Sequence, residues 1–307
     1  AYASRRGQRG RAGSAVRVGF ISRWDVADRN ALSGMPASMW DALRRAGVEL
    51  VLLQPPTRIG VGTRAVESMA LAVVPPRRRP GLRQLAERAR SSLDRPFLYR
   101  RMLARASALS RSISALIDRQ HLDALFGVCI SYELFALETD VPIVYASDAT
   151  ARLINATYAG FARRPAGYHR ASDDVERQSL QRVHTALLAS EATLESVVRD
   201  YGVPRDRALL APMGANVMPD APVDPADVTL PTREGVGLLV VASDPHRKQV
   251  DLCIDTCTEL VRRGVRARLH VIGDPPRAPA PEHVTFHGRL RLSEPADRAL
   301  HVRLLRQ

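Results

Sequence analysis

Short apolar runs alternate with amphipathic stretches from residue 16 onward, which is the pattern of strands covered by helices. Residues 16–22 (VRVGFIS) are β-branched and aromatic; a long loop, Ser33-Gly34, an amphipathic stretch at 36–46, Gly47 and an apolar run at 48–53 follow. The order strand, loop, helix, strand predicts a βαβ opening. Further strands are predicted at 124–128, 142–146, 185–189 and 207–211, separated by helical stretches. Parallel sheets of this kind bind ligands at the carboxyl ends of their strands, so the loop 22–33 is expected to edge a binding crevice.

The pattern lapses at 218–232 (MPDAPVDPADVTLPT), whose prolines and aspartates read as an interdomain linker. Beyond it the pattern restarts with a strand at 236–242, a helix at 250–263 closed by Gly264, strands at 267–272 and 284–286, and a helix at 295–306. The predicted organisation is a basic leader (1–15), a doubly wound Rossmann-like domain (16–217), the linker, and a second, incomplete Rossmann-like domain (233–307). The fold class is α/β, and the second half-domain predicts that the chain stops short.

Composition narrows the classes. The 307 residues are 45% hydrophobic and 25% charged, which fits a globular protein and excludes disorder and fibrous folds. No apolar run approaches the roughly 20 residues of a membrane span. The start AYASRRGQRGRAGS lacks the apolar core of a signal peptide, so a cytoplasmic protein is expected. Cys129, Cys253 and Cys257 read as buried thiols of a reducing compartment. A formal charge of +13 favours an anionic partner, while only 5% aromatic residues argue against nucleic acid held by stacking. Among 45 basic residues a single lysine stands out, Lys248, against a background of arginine. The region 77–119 pairs PPRRRP with helical stretches carrying Phe97, Leu98, Met102, Leu109, Ile113 and Leu116. Its apolar side either packs on the sheet or, with its arginines, meets an anionic membrane surface or a charged glycan, which would place the protein at the inner face of the membrane.

Several segments, in order, resemble one family. LSGMPASMWDALRRAG, VPIVYASDATARLI, LASEATLESVVRDYGVPRDRALLAPMGANV and DPHRKQVDLCIDTCTELVRRGVRARLHVIGD are similar to segments of the GT-B glycosyltransferases of family 4, retaining enzymes that use nucleotide sugars. The resemblance implies a GT-B fold of two Rossmann-like domains, and transfer of a sugar from a nucleoside-diphosphate donor to a glycan, lipid or small-molecule acceptor. No metal and no cofactor are implied apart from the donor substrate. The family's paired-glutamate segment would lie beyond Gln307, so the chain is expected to be inactive by itself.

The resemblance also implies site residues. Arg247 and Lys248, between a strand and a helix, would hold the leaving phosphates; cations at a helix start are otherwise poorly placed against its dipole. The family's usual arginine five residues before that lysine is Ser243 here, and the usual following glycine is Gln249. Ser33 and Gly34 would approach the donor phosphates, or Ser33 is a plain helix cap. Asp148, directly after the strand PIVYAS, would orient a sugar hydroxyl or stabilise charge at the anomeric carbon; the competing reading is a cap of the helix that follows. Gly214 and Asn216, in PMGANV, would shape the donor pocket, and Ser190 would cap a helix. Glu133, in SYELFAL, either lines the acceptor side or is an exposed helix residue. The catalytic expectation falls on Asp148, Arg247 and Lys248. Two rivals remain: a non-catalytic GT-B scaffold that binds sugar nucleotides, motivated by Ser243 and Gln249, and a basic nucleic-acid-binding protein, motivated by charge alone.

Overall fold

The computed structural model describes residues 15–56, 96–216, 235–274 and 280–306. The linker at 218–232, nearly all of the basic leader, and residues 77–95 of the arginine-rich region lie outside the described residues. Two compact units divide the chain: Ala1–Trp24 with Met39–Met213, and Asp25–Ser38 with Gly214–Gln307.

The first unit is built on a six-stranded sheet, β1 (Arg17–Ile21), β2 (Glu49–Leu53), β3 (Ala124–Val128), β4 (Ile143–Ser147), β5 (Thr185–Leu188) and β6 (Ala208–Leu210). The strands run in the order β2-β1-β3-β4-β5-β6, and every neighbouring pair is parallel. The order reverses between β1 and β3, and such a switch point leaves a crevice at the carboxyl ends. Helices α1 (Met35–Arg45), α2 (Pro96–Ile117), α3 (Ser131–Leu134), α4 (Ala151–Thr157), α5 (Ala159–Ala162), α6 (Ala166–Arg182) and α7 (Glu191–Tyr201) make the connections.

Strands buried on both faces need unbroken apolar runs, which is why RVGFI and ALFGV were legible as strands. Phe20 pairs with Phe126 in register, and the edge of Trp40 from α1 meets Phe20 at 5.3 Å between ring centroids. Leu109, Ile113 and Ile117 of α2 are buried, and Ile113 joins Ile21, Leu53 and Leu125 in the core. The apolar side of this helix is thus turned into the first unit, toward α3 and α6 as well as the sheet, and Arg100 and Arg111 face outward. Gly127 is required by closeness: a Cβ there would stand 2.9 Å from the Ile21 carbonyl and collide with Ile130. Ser190 caps α7, accepting from the Thr193 amide at 3.2 Å, and Gly202 ends that helix at φ +71°.

The second unit is smaller. Its strands β7 (Val236–Ala242), β8 (Ala267–Gly273) and β9 (Val284–Phe286) are parallel and lie in that order. Helix α8 (Val250–Arg262) crosses from β7 to β8, and α9 (Pro295–Leu305) follows β9. Cys257 is buried with Ala242, Val250, Leu269 and Val271, while Ile272, Leu290 and Leu304 form a second cluster. The segment Asp25–Ser38 joins this unit through Asn30, whose side-chain amide donates to the Leu290 carbonyl at 3.0 Å and accepts from the Leu292 amide at 3.1 Å. All three cysteines are free thiols. Among the described residues no helix is long and apolar enough to cross a membrane.

A buried polar network ties α3, β4 and α6 together. The Tyr145 hydroxyl donates to Glu176 Oε1 at 3.2 Å and lies 3.1 Å from Ser131 Oγ. Burial pushes the Glu176 carboxyl up to about 7 from 4.5, against the opposing hydrogen bonds from Ser131 and Tyr145. The folded state therefore holds this proton more tightly than the unfolded chain. Stability should fall as pH rises from 4.5 through about 7, with the full loss present above that range. The loss is on the order of 3 kcal/mol. Glu176→Gln keeps an acceptor for Tyr145 and has no proton to lose, so its urea midpoint should be nearly the same at about pH 5 and about pH 8, and should exceed the wild type's at the higher pH.

Candidate functional site

At the switch point of the first unit, the chain leaving β1 and the chain leaving β3 meet in an ion pair. Arg23 Nε donates to Glu133 Oε1 at 2.8 Å and Nη2 to Oε2 at 2.9 Å. The Glu133 side chain is 0% exposed and that of Arg23 33%. Glu133 is therefore not an exposed helix residue. Helix α3 has only four residues, and the burial of Ile130 and Leu134 on either side turns Glu133 inward, where a carboxylate needs a cation. The guanidinium also stacks, 5.5 Å from the Trp24 ring centroid and 5.6 Å from that of Tyr132. Arg23 was not expected from sequence; its position two residues beyond β1 was the available signal.

Asp148 stands exposed just past β4. It does not cap the next helix, because Thr150 does: its side chain accepts from the Leu153 amide at 3.3 Å. The Asp148 carbonyl accepts from Thr193 Oγ1 at 2.6 Å, which fixes the backbone. Its carboxylate is left at the carboxyl edge of the sheet, with Oδ1 3.7 Å from Cys129 Sγ. Cys129 has φ +53°, in the left-handed region. Burial, and then the Asp148 charge, push its thiol up to about 12. Cys129 thus stays protonated at neutral pH and is no nucleophile.

Three of the expected donor-binding residues come together in the second unit. The Asn216 side-chain amide donates to the Ser33 carbonyl at 2.9 Å, although 183 residues separate them. Gly34 lies beside both; a Cβ on it would stand 2.9 Å from the Arg29 carbonyl and 3.3 Å from Asn216 Cβ. Leu32, Ser33 and Gly34 are consecutive left-handed residues, at φ 45°, 57° and 83°. Ser33 is therefore no N-cap, since a cap residue sits in the extended region. Gly214 is exposed, two residues before Asn216.

Ser243, Arg247 and Lys248 follow β7 on a separate, exposed loop. The loop is wound on itself. The Asp244 carboxylate accepts from the Arg247 amide at 3.1 Å, and the Asp244, Pro245 and His246 carbonyls accept from the amides of Lys248, Val250 and Gln249. Those amides are used internally, and the Arg247 and Lys248 side chains are exposed. Gln249, the residue before α8, has φ 53° and ψ 44°. A left-handed backbone is why glycine would suit that position.

No protein-family model and no curated protein matches the sequence. Solved structures do resemble it. A sucrose-phosphate synthase from Thermosynechococcus elongatus is 13% identical, aligned over 94% of this chain and 73% of its own, with a TM-score of 0.53. A glycosyltransferase of kitacinnamycin is 14% identical over 89% of this chain and 71% of its own, at 0.41. A third, LpCGTa in complex with UDP, is 13% identical over 86% and 72%, at 0.42. The likeness to the first establishes the fold. The chain is mixed α/β with parallel sheets in the manner of GT-B glycosyltransferases, and its second unit is the smaller.

Gly34 provides a direct test of the Ser33–Asn216 junction. Gly34→Ala forces a side chain into the left-handed region and against the Arg29 carbonyl, at a cost of about 1–3 kcal/mol. The expected result is a lower urea midpoint with an unchanged slope.

Proposed function

We propose that the protein is a retaining glycosyltransferase of the family 4 type, moving a sugar from a nucleoside-diphosphate donor to a hydroxyl acceptor without a metal. The observation that carries this reading is the position of Arg247 and Lys248, the exposed cations of the loop between β7 and α8 in a GT-B fold. The bond from the anomeric carbon to the β-phosphate oxygen breaks, and negative charge grows on the leaving diphosphate. Fixed cations there stabilise the transition state more than the ground state. The acceptor oxygen attacks from the same face, and its proton passes to the departing phosphate oxygen. Asp148 orients a hydroxyl of the donor sugar, and Ser33, Gly34 and Asn216 shape the phosphate side. The net charge of +13 and the outward arginines of α2 are compatible with work at an anionic membrane face.

The reading is tested by thermal shift against UDP-, GDP- and ADP-sugars, because a ligand of the native state raises its apparent stability by mass action. A shift with one nucleotide class is expected; no shift with any of them would overturn the reading. In a form of the protein with measurable transfer activity, Lys248→Ala should then reduce turnover by about 3 kcal/mol, roughly two orders of magnitude, with little change in stability because the side chain is exposed. Lys248→Arg should also lose most activity, since a planar fork replaces a compact ammonium. Wild-type turnover in the arginine variant would show that the lone lysine has no special role.

A further inference from the structure

Glu133 is occupied by Arg23, so the acceptor side of the first unit cannot be read as a free carboxylate awaiting a sugar. What surrounds the pair is a row of rings and guanidinium groups. Trp24, Arg23 and Tyr132 stack in sequence. Tyr132 on α3 and Tyr168 on α6 stand on helices packed against each other. Tyr168 in turn carries Arg164, whose guanidinium lies 4.3 Å from its ring centroid and 4.6 Å from that of Phe161. These residues come from the connections after β1, β3 and β4, all at carboxyl ends.

The two cations of this row differ. Arg23 is neutralised by the buried Glu133, whereas among the described residues no ion pair is formed by Arg164. Of its neighbours in sequence, Arg152 is paired with Asp173 at 3.2 Å, and Asp174 accepts from Tyr99 at 2.7 Å. Rings offer a sugar its apolar face, and guanidinium forks recognise phosphate or carboxylate.

We infer that the row from Trp24 to Phe161 is an acceptor site for a sugar or polyol bearing an anionic group, phosphate or carboxylate, with Arg164 as its specificity-determining cation. This deepens the sugar-transfer reading and rests on it. The site discriminates charge: a neutral sugar meets only the rings, whereas the anionic one also gains the guanidinium contacts.

The protein has two tryptophans, and Trp40 packs on Phe20, so Trp40→Phe leaves Trp24 as the sole tryptophan beside the row. In that variant, Trp24 emission should titrate to saturation with glucose 6-phosphate and stay unchanged with glucose. Adding Arg164→Ala should loosen the titration at least about tenfold, as loss of one charged hydrogen-bonding contact does. Arg199→Ala, an exposed arginine on α7, should not loosen it. Thermal shift of the otherwise unaltered protein with the same two sugars repeats the comparison should Trp40→Phe fold poorly. Vesicles of phosphatidylcholine with and without phosphatidylinositol separate the sources: a response to the inositol lipid marks a lipid-borne acceptor, a response to glucose 6-phosphate alone a soluble one. Equal responses to glucose and glucose 6-phosphate, no response to any anionic probe, or equal losses in the Arg164 and Arg199 variants would overturn the inference. Titration of Trp24 without any nucleotide-sugar shift would leave this site standing and sink the transfer reading, and the converse would sink the site alone.

Discussion

The carboxyl edge of the first unit depends on one buried charge. Glu133 is fully enclosed, and a carboxylate in that setting is stable only with a cation held in good geometry. Arg23 supplies it through two hydrogen bonds below 3 Å, reaching from the end of β1 to the turn after β3. These are the strands between which the sheet order reverses. The pair therefore fastens the switch point, and its partly exposed guanidinium carries the fixed positive charge from the interior to the rim where Trp24 and Tyr132 stack on it.

The second unit has a comparable fastening made without charge. Asn30 uses both ends of its amide on the backbone between Leu290 and Leu292, and Asn216 holds the Ser33 carbonyl. Each bond joins segments remote in sequence, so Asp25–Ser38 is fastened within the second unit. The left-handed run Leu32–Gly34 is thus set by neutral amides, whereas Arg247 and Lys248 stand exposed on a turn of their own.

The strands of the first unit were legible because a parallel sheet covered on both faces demands continuous apolar runs, and 18–21 and 124–128 meet that demand. Ser190 was legible as a cap because the hydrogen bond it makes is local. Glu133 was not. A helix of four residues has no periodicity from which to read a face, and its partner lies 110 positions away. The meeting of Gly34 with Asn216 was hidden for the same reason. Gly34 stood out in sequence as a backbone that could approach an anion; its demonstrated necessity is the Arg29 carbonyl. At Asp148 the competing cap was a matter of two residues, and Thr150 makes the bond.

Backbone strain marks the same end of the sheet in each unit, independently of any resemblance. Among the described residues, positive φ outside glycine occurs at Leu32, Ser33, Cys129 and Gln249. Leu32 and Ser33 lie in the connection after β1, Cys129 immediately after β3, and Gln249 in the connection after β7. Each such residue costs on the order of 1–3 kcal/mol and persists only where its surroundings over-determine it. Turns at the amino ends of the strands use glycine for the same conformation, as at Gly47 and Gly264, and so avoid the cost. Strain is thus confined to the connections that leave the carboxyl ends, where parallel α/β sheets bind their ligands. Gln249 is the most telling of the four. It keeps a left-handed backbone where glycine would be unstrained, one residue past the single lysine, so the turn that presents Lys248 is held in shape at an energetic cost.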